Sequence, residues 1–191
     1  MHDSGDLITS IQKKEIRAYK ELFDTHFPIL FPISLRYSKG SKQAEEIFNY
    51  AFSNCIQKLL QQKQAKQLNL QEYFIHEFIL ECVAFVKSIR SEYYVSSTVN
   101  ATETSARTYD LFDSNEWVDF NQVETDVIIT SLQQLVPSQR LVFNLHVVDG
   151  FTMHDAIQLL ESSEGTVKSN LEKARYNLQK NIEKNLKSMK S

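Results

Sequence analysis

Residues 137–184 read PSQRLVFNLHVVDGFTMHDAIQLLESSEGTVKSNLEKARYNLQKNIEK, and three helices can be drawn from them by caps and apolar spacing. The first runs from about Ser138 to Val148, with Leu141, Val142, Leu145 and Val148 on one face. Gly150 follows, and glycine takes the left-handed conformation that ends a helix. Thr152 caps the second helix, and Asp155 sits where a capping-box acid belongs. Ser163 caps the third. Its apolar positions Val167, Leu171, Ala174 and Leu178 are spaced four, three and four, which is one narrow helical face. Two helices joined by a tight turn, the second longer and basic, describe a helix-turn-helix. From Thr166 to Ser191 there are seven Lys or Arg against two Glu. Lys168 and Arg175 flank the apolar seam on one side, and Thr166, Asn170 and Lys173 on the other. An apolar seam with donors around it is what a recognition helix needs to reach base edges and phosphates.

The composition bounds the rest. The chain has 191 residues, 42% hydrophobic and 24% charged, enough for one large or two small cores. Four Gly and three Pro are few, and Leu, Ala, Gln, Glu and Lys are plentiful, so the expected fold is all-α. No apolar run approaches the roughly 20 residues of a membrane helix. The opening MHDSGDLITS has no basic n-region, so no signal peptide is expected. Cys55 and Cys82 lie on apolar helical faces and are expected as packed free thiols in a reducing, cytoplasmic setting. Net charge is −3, and the acid is concentrated in the middle of the chain. Such a balance is unusual for a simple DNA binder.

Taken in order, residues 1–10 are expected as a lead-in. A helix from about Ser10 to Thr25 follows, with Ile11, Tyr19, Leu22 and Phe23 inward. His26-Phe27-Pro28 should interrupt it, and Pro32 should kink or delay the next helix, Pro28 to Tyr37. Gly40-Ser41 marks a boundary with Ser41 as N-cap. The third helix is the best patterned: Ala44, Ile47, Phe48, Ala51, Phe52, Cys55, Ile56, Leu59 and Leu60 follow the helical repeat. A fourth helix runs from about Leu70 to Tyr93. Residues 95–123 are polar, acidic and aperiodic, which reads as a linker on which Trp117 and Phe120 are candidates to dock back. Residues 124–136 open the last domain. The expected division is 1–94, linker 95–123, and 124–191.

The string SSEGTVKSNLEKAR resembles the recognition helix of bacterial RNA polymerase sigma factors of the extracytoplasmic-function group. Ser163, Gly165, Thr166, Val167, Lys168, Ser169, Ala174 and Arg175 carry the likeness, and PSQRLVFNLHVVDGFT resembles the helix leading into it. Further forward, AYKELFDTHFPILFPISLRYS over 18–38 and AEEIFNYAF over 44–52 resemble that family's second region. The resemblance implies two helical domains, a core RNA polymerase partner met by Glu45, Glu46 and Asn49, and promoter DNA met by Ser163, Thr166, Lys168, Ser169, Asn170, Lys173 and Arg175. It leaves room for an anti-sigma protein and implies no cofactor, no metal and no catalytic residue. The chain also departs from the pattern. Tyr50 stands where an acid is usual. His76, Glu77 and Glu81 replace basic or amide groups on the fourth helix, leaving only Lys87 and Arg90 cationic. Glu161-Ser162 replaces a Gly-Ile turn, Asn170 replaces an Arg, and Glu172 lies outward where phosphates would repel it. Two alternatives follow: a degenerate sigma-like protein acting through protein contacts with weak or no DNA binding, and a polymerase-independent helix-turn-helix regulator.

Enzyme chemistry finds no footing. His146 and His154, with Asp149 and Asp155 nearby, are eight apart across a glycine break and lack a cysteine partner, so surface histidines are expected. His26 and His76 have no nucleophile beside them. The acids of 103–126 lack calcium-loop spacing. No Gly-rich phosphate loop is present.

Overall fold

The computed structural model describes residues 4–62, 69–89 and 123–189. The expected linker, together with Trp117, Phe120 and Arg90, lies outside the described residues apart from Val123. Among the described residues the chain is helical throughout and has no strand. The helices are α1 (Ser4–Gln12), α2 (Ile16–Tyr37), α3 (Ser41–Gln61), α4 (Leu70–Ser88), α5 (Thr125–Gln133), α6 (Pro137–Phe143), α7 (Met153–Leu160) and α8 (Glu164–Met189). A π-helical turn, Asn144–Val148, continues α6.

The N-terminal helices differ from expectation in two ways. Residues 4–12 form α1, whose Ile8 and Ile11 are buried, in place of a loose lead-in. Lys14 then turns the chain with φ 59 before α2 begins. More notably, α2 runs unbroken through both Pro28 and Pro32. Each proline removes one amide donor, so the carbonyls four residues back, those of Asp24 and Pro28, lose their helical partner. All three residues are exposed, so water can take up these acceptors. On the opposite face Leu22, His26, Leu30, Ile33 and Tyr37 are buried and hold the helix in place. His26 donates from Nδ1 to the Leu22 carbonyl at 2.8 Å, and burial holds its imidazole below the ordinary range. Phe23, expected inward, is 39% exposed, yet its ring still packs on Phe27, Phe48 and Phe52.

Helix α3 follows its pattern: Ala44, Ile47, Phe48, Ala51, Phe52, Cys55 and Leu59 are all buried. Gly40, not Ser41, occupies the N-cap. Helix α4 is described only to Ser88, with Phe74, Phe78, Cys82 and Val86 buried against α2 and α3. Burial, with Glu81 and Glu77 nearby, pushes the Cys55 thiol up to about 12. Both cysteines are free and buried.

Two apolar clusters divide the core. The first joins α1–α4 to Leu141, Val142, Leu145, Ala156, Leu160, Val167 and Leu171 of the C-terminal half. The second, Val127, Leu132, Leu135, Ala174, Leu178 and Ile182, lies where α8 crosses α5 and α6. The first cluster therefore runs from one half of the chain into the other.

Candidate nucleic-acid and polymerase surfaces

The helix-turn-helix is built from local signals. The Asp155 amide donates to Thr152 Oγ1 at 3.1 Å, and the Thr152 amide donates to Asp155 Oδ2 at 3.0 Å. This reciprocal box satisfies two of the donors that a helix start leaves open. Its hydrogen bonds hold the Asp155 carboxyl below the usual carboxylate range. Gly150 has φ 74 and leads the chain out of the π turn. Ser163 caps α8: its Oγ accepts from the Thr166 amide at 3.1 Å and pairs with the Thr166 hydroxyl at 2.9 Å.

Of the residues expected to meet DNA, Ser163, Thr166, Lys168 and Arg175 are exposed and Ser169 is half-buried. Asn170 and Lys173 are not on that surface: they are 8% and 7% exposed. The cause is a second covered face. Besides packing on α7 through Val167 and Leu171, α8 lies along α5 and α6. Lys168, Glu172 and Arg175 follow at four and three residues on the outward face, and Lys168 pairs with Glu164 at 2.6 Å. Glu172 is exposed between two cations, as its spacing predicted.

The covered face carries an amide ladder that was not anticipated. Asn177 donates to Gln139 Oε1 at 2.9 Å, Asn181 to the Ser131 carbonyl at 3.1 Å, and Asn185 to Ser131 Oγ at 2.8 Å. The four-residue spacing of these asparagines was a visible signal that α8 has two packed faces.

Glu45, Glu46 and Asn49 stand together and exposed on the first turns of α3. No hydrogen bond or ion pair of their side chains forms with the described residues. Tyr50 beside them is 42% exposed and meets Phe85 edge-on. On α4 Glu77 and Glu81 are used internally: Lys58 bridges Glu77 at 2.7 Å and Glu81 at 2.8 Å, and Asn54 donates to Glu81.

The two halves are tied by polar contacts that no local signal announces. Arg36 forks onto Asp149 with two nitrogens, and Tyr37 donates to the same carboxylate at 2.7 Å. Burial, with the Asp149 charge, pushes the Tyr37 hydroxyl well above its ordinary value. Asn144 donates to the Arg36 carbonyl at 2.9 Å. Arg140, 1% exposed, donates to the carbonyls of Tyr37, Gln133 and Leu135 at 3.0, 3.0 and 2.8 Å. Lys87 donates to the Leu159 carbonyl at 2.8 Å and to Glu161 at 2.7 Å. His76 stacks on Phe151. His146 is half-buried, donating to the Phe151 carbonyl at 2.8 Å, while His154 is exposed beside Gln158. No group of metal-ligand type assembles among the described residues.

Residues 125–178 match the family model for sigma-70, region 4. The match spans α5 to most of α8, including both caps and the outward face. The fold as a whole resembles the co-crystal structure of the sigma factor RpoE in complex with the anti-sigma factor NepR from Bartonella quintana, with a TM-score of 0.50. That likeness covers 88% of this chain and 98% of the other at 17% identity, and it speaks for the fold. No curated protein matches the chain by sequence. The described residues are thus all-α, and residues 125–178 are similar to sigma-70 region 4. No described helix is long and apolar enough to cross a membrane.

Proposed function

We propose that the chain is a cytoplasmic sigma-like initiation factor that binds core RNA polymerase through Glu45, Glu46 and Asn49 and promoter DNA through the outward face of α8. The region 4 match carries this reading, because it covers the capped helix-turn-helix that presents Ser163, Thr166, Lys168, Ser169 and Arg175. Asn170 and Lys173 stand behind that face. An anti-sigma protein is a further expected partner, by extension from the RpoE–NepR complex. No cofactor enters.

A salt titration of duplex binding, followed by fluorescence anisotropy, tests the α8 assignment. Each phosphate contact contributes a log–log slope of roughly −0.9. Lys168→Ala and Arg175→Ala should each flatten the slope by about 0.9 and weaken all sequences alike. Lys173→Ala should leave it unchanged, since that side chain is buried. Glu172→Gln should tighten binding by removing a like charge. Pull-down of core polymerase tests α3: Glu46→Lys should abolish it with the circular-dichroism melt unchanged. A wild type that pulls down polymerase but shows no salt-dependent duplex binding, even with Glu172→Gln, sinks the promoter role. It would favour the protein-contact alternative, which already draws support from Glu172 outward, Glu164 on Lys168, and Lys87 turned onto α7.

A further inference from the structure

A cavity of about 600 Å³ opens between α4 and the turn that leads into α7. Small ligands are usually held in spaces of roughly 300–1,000 Å³. Leu80 and Leu159 give this one apolar walls. His76 and Phe151 also line it, and their rings are inclined to one another by only 18°, so they form a flat stretch of wall.

The polar groups around the cavity differ in how much hydrogen-bonding capacity they have left. Asp149 is spent, because Arg36 and Tyr37 take its carboxylate. Asp155 is half spent. The amide and the hydroxyl of Thr152 both donate to Oδ2, and Oδ1 has no partner among the described residues. Gln158 turns its Nε2 to His154 at 2.8 Å, which leaves Oε1 open. The ring nitrogens of His76 meet no polar group of the described residues. Asp155 and Gln158 are three residues apart on α7, so their open acceptors share one face of the helix. Both line the same cavity as His76, which faces them from α4.

Charge selects what this space can hold. Arg36 balances Asp149. No Lys or Arg pairs with Asp155, and none is among the described residues that line the cavity. A phosphate or carboxylate ligand therefore finds no cation to meet it, whereas a cation finds an open carboxylate oxygen with an amide oxygen beside it. Two acceptors in a row call for N–H donors on the ligand, and a flat apolar wall calls for a planar body.

We propose that this cavity is a binding site for a small planar cation of the aryl or heteroaryl amidine class. Its N–H groups donate to Asp155 Oδ1 and Gln158 Oε1, and its ring lies against His76, Phe151 and Leu80. Hydrogen bonds between an ionised donor and a carboxylate are the strong ones, so the amidinium supplies both the orientation and most of the selectivity. The site is separate from the surfaces assigned above to polymerase and to duplex DNA, and it does not rest on the initiation-factor reading.

The test titrates the full chain with benzamidine, a simple member of this class, and follows the imidazole proton signals by NMR. His76→Gln identifies the His76 signal by its loss. Benzamidine should move that signal saturably, with a dissociation constant on the order of 1 mM for so small a probe. Benzoate, planar and of similar size but anionic, should bind at least about tenfold more weakly. Gln158→Leu, at an exposed position, removes one acceptor and should weaken benzamidine about tenfold. Asp155→Asn should weaken it about as much by removing the charge. Asp155 also closes the cap of α7, so Gln158→Leu decides the matter if Asp155→Asn folds poorly. Leu80→Trp fills the cavity and should abolish binding. Asp126→Asn, an exposed acid on α5, makes the same change in net charge and should leave the constant unaltered. The proposal is overturned if benzamidine leaves the His76 signal in place, if benzoate binds as tightly, or if folded Gln158→Leu or Leu80→Trp binds like wild type.

Discussion

Arg140 shows how much of this molecule's specificity rests on one buried side chain. Its guanidinium is 1% exposed and reaches the last turn of α2 as well as the turn between α5 and α6. The planar fork reaches three carbonyls at once, which a lysine cannot do with the same geometry. Removing it leaves buried carbonyls without this donor, and each such loss costs about 1–3 kcal/mol. We therefore expect Arg140→Met, similar in length and apolar, to destabilise the chain by about 3 kcal/mol or more in urea unfolding. A loss below about 1 kcal/mol would mean that water or a neighbouring donor replaces the guanidinium. A lone arginine between two leucine-bearing stretches gives no hint of this in the sequence, because its Tyr37 partner is more than a hundred residues away.

At the scale of elements, the legible features were those whose cause lies within a few residues. Thr152 with Asp155, Ser163 with Thr166, and Gly150 are contacts of near neighbours, so their spacing was enough to place three helix ends. The apolar repeat of α3 was equally direct. The continuity of helix α2 was not legible, because two prolines argue locally against an unbroken helix that tertiary packing enforces. Burial of seven residues along its inner face outweighs two missing hydrogen bonds on a wet one. Pro28→Ala and Pro32→Ala restore those donors. Each should stabilise the chain by about 1–2 kcal/mol, the helical gain being partly offset by the freer unfolded chain. A lowered melting temperature for either would show that the proline ring itself is packed. Asn170 and Lys173 escaped the sequence for a related reason. A helical wheel of α8 alone locates the seam toward α7 but not the second covering by α5 and α6.

For the whole molecule, the open matter is how tightly the two halves hold one another once the chain between them is cut. Composition argued for two domains and a linker, and the region 4 match begins at 125, close to the expected boundary at 124. Yet the first apolar cluster runs from α1–α4 into α6, α7 and α8. The polar ties add to it: Gln133 donates to the Leu35 carbonyl at 3.0 Å, Arg140 to Tyr37, and Arg36 to Asp149. A buried pair of this kind is not easily separated, because pulling one partner away leaves the other charge desolvated and alone. Such an interface behaves as a core more than as a transient contact between mobile domains. A protease site placed between Ser96 and Asn121, then cut, should therefore give two pieces that co-elute in size-exclusion chromatography at micromolar concentration. Leu145→Asp places a charge in the shared cluster, where Leu145 is fully buried, and should separate them. Two independent peaks from the cut wild type would mean that the halves are joined by the chain alone.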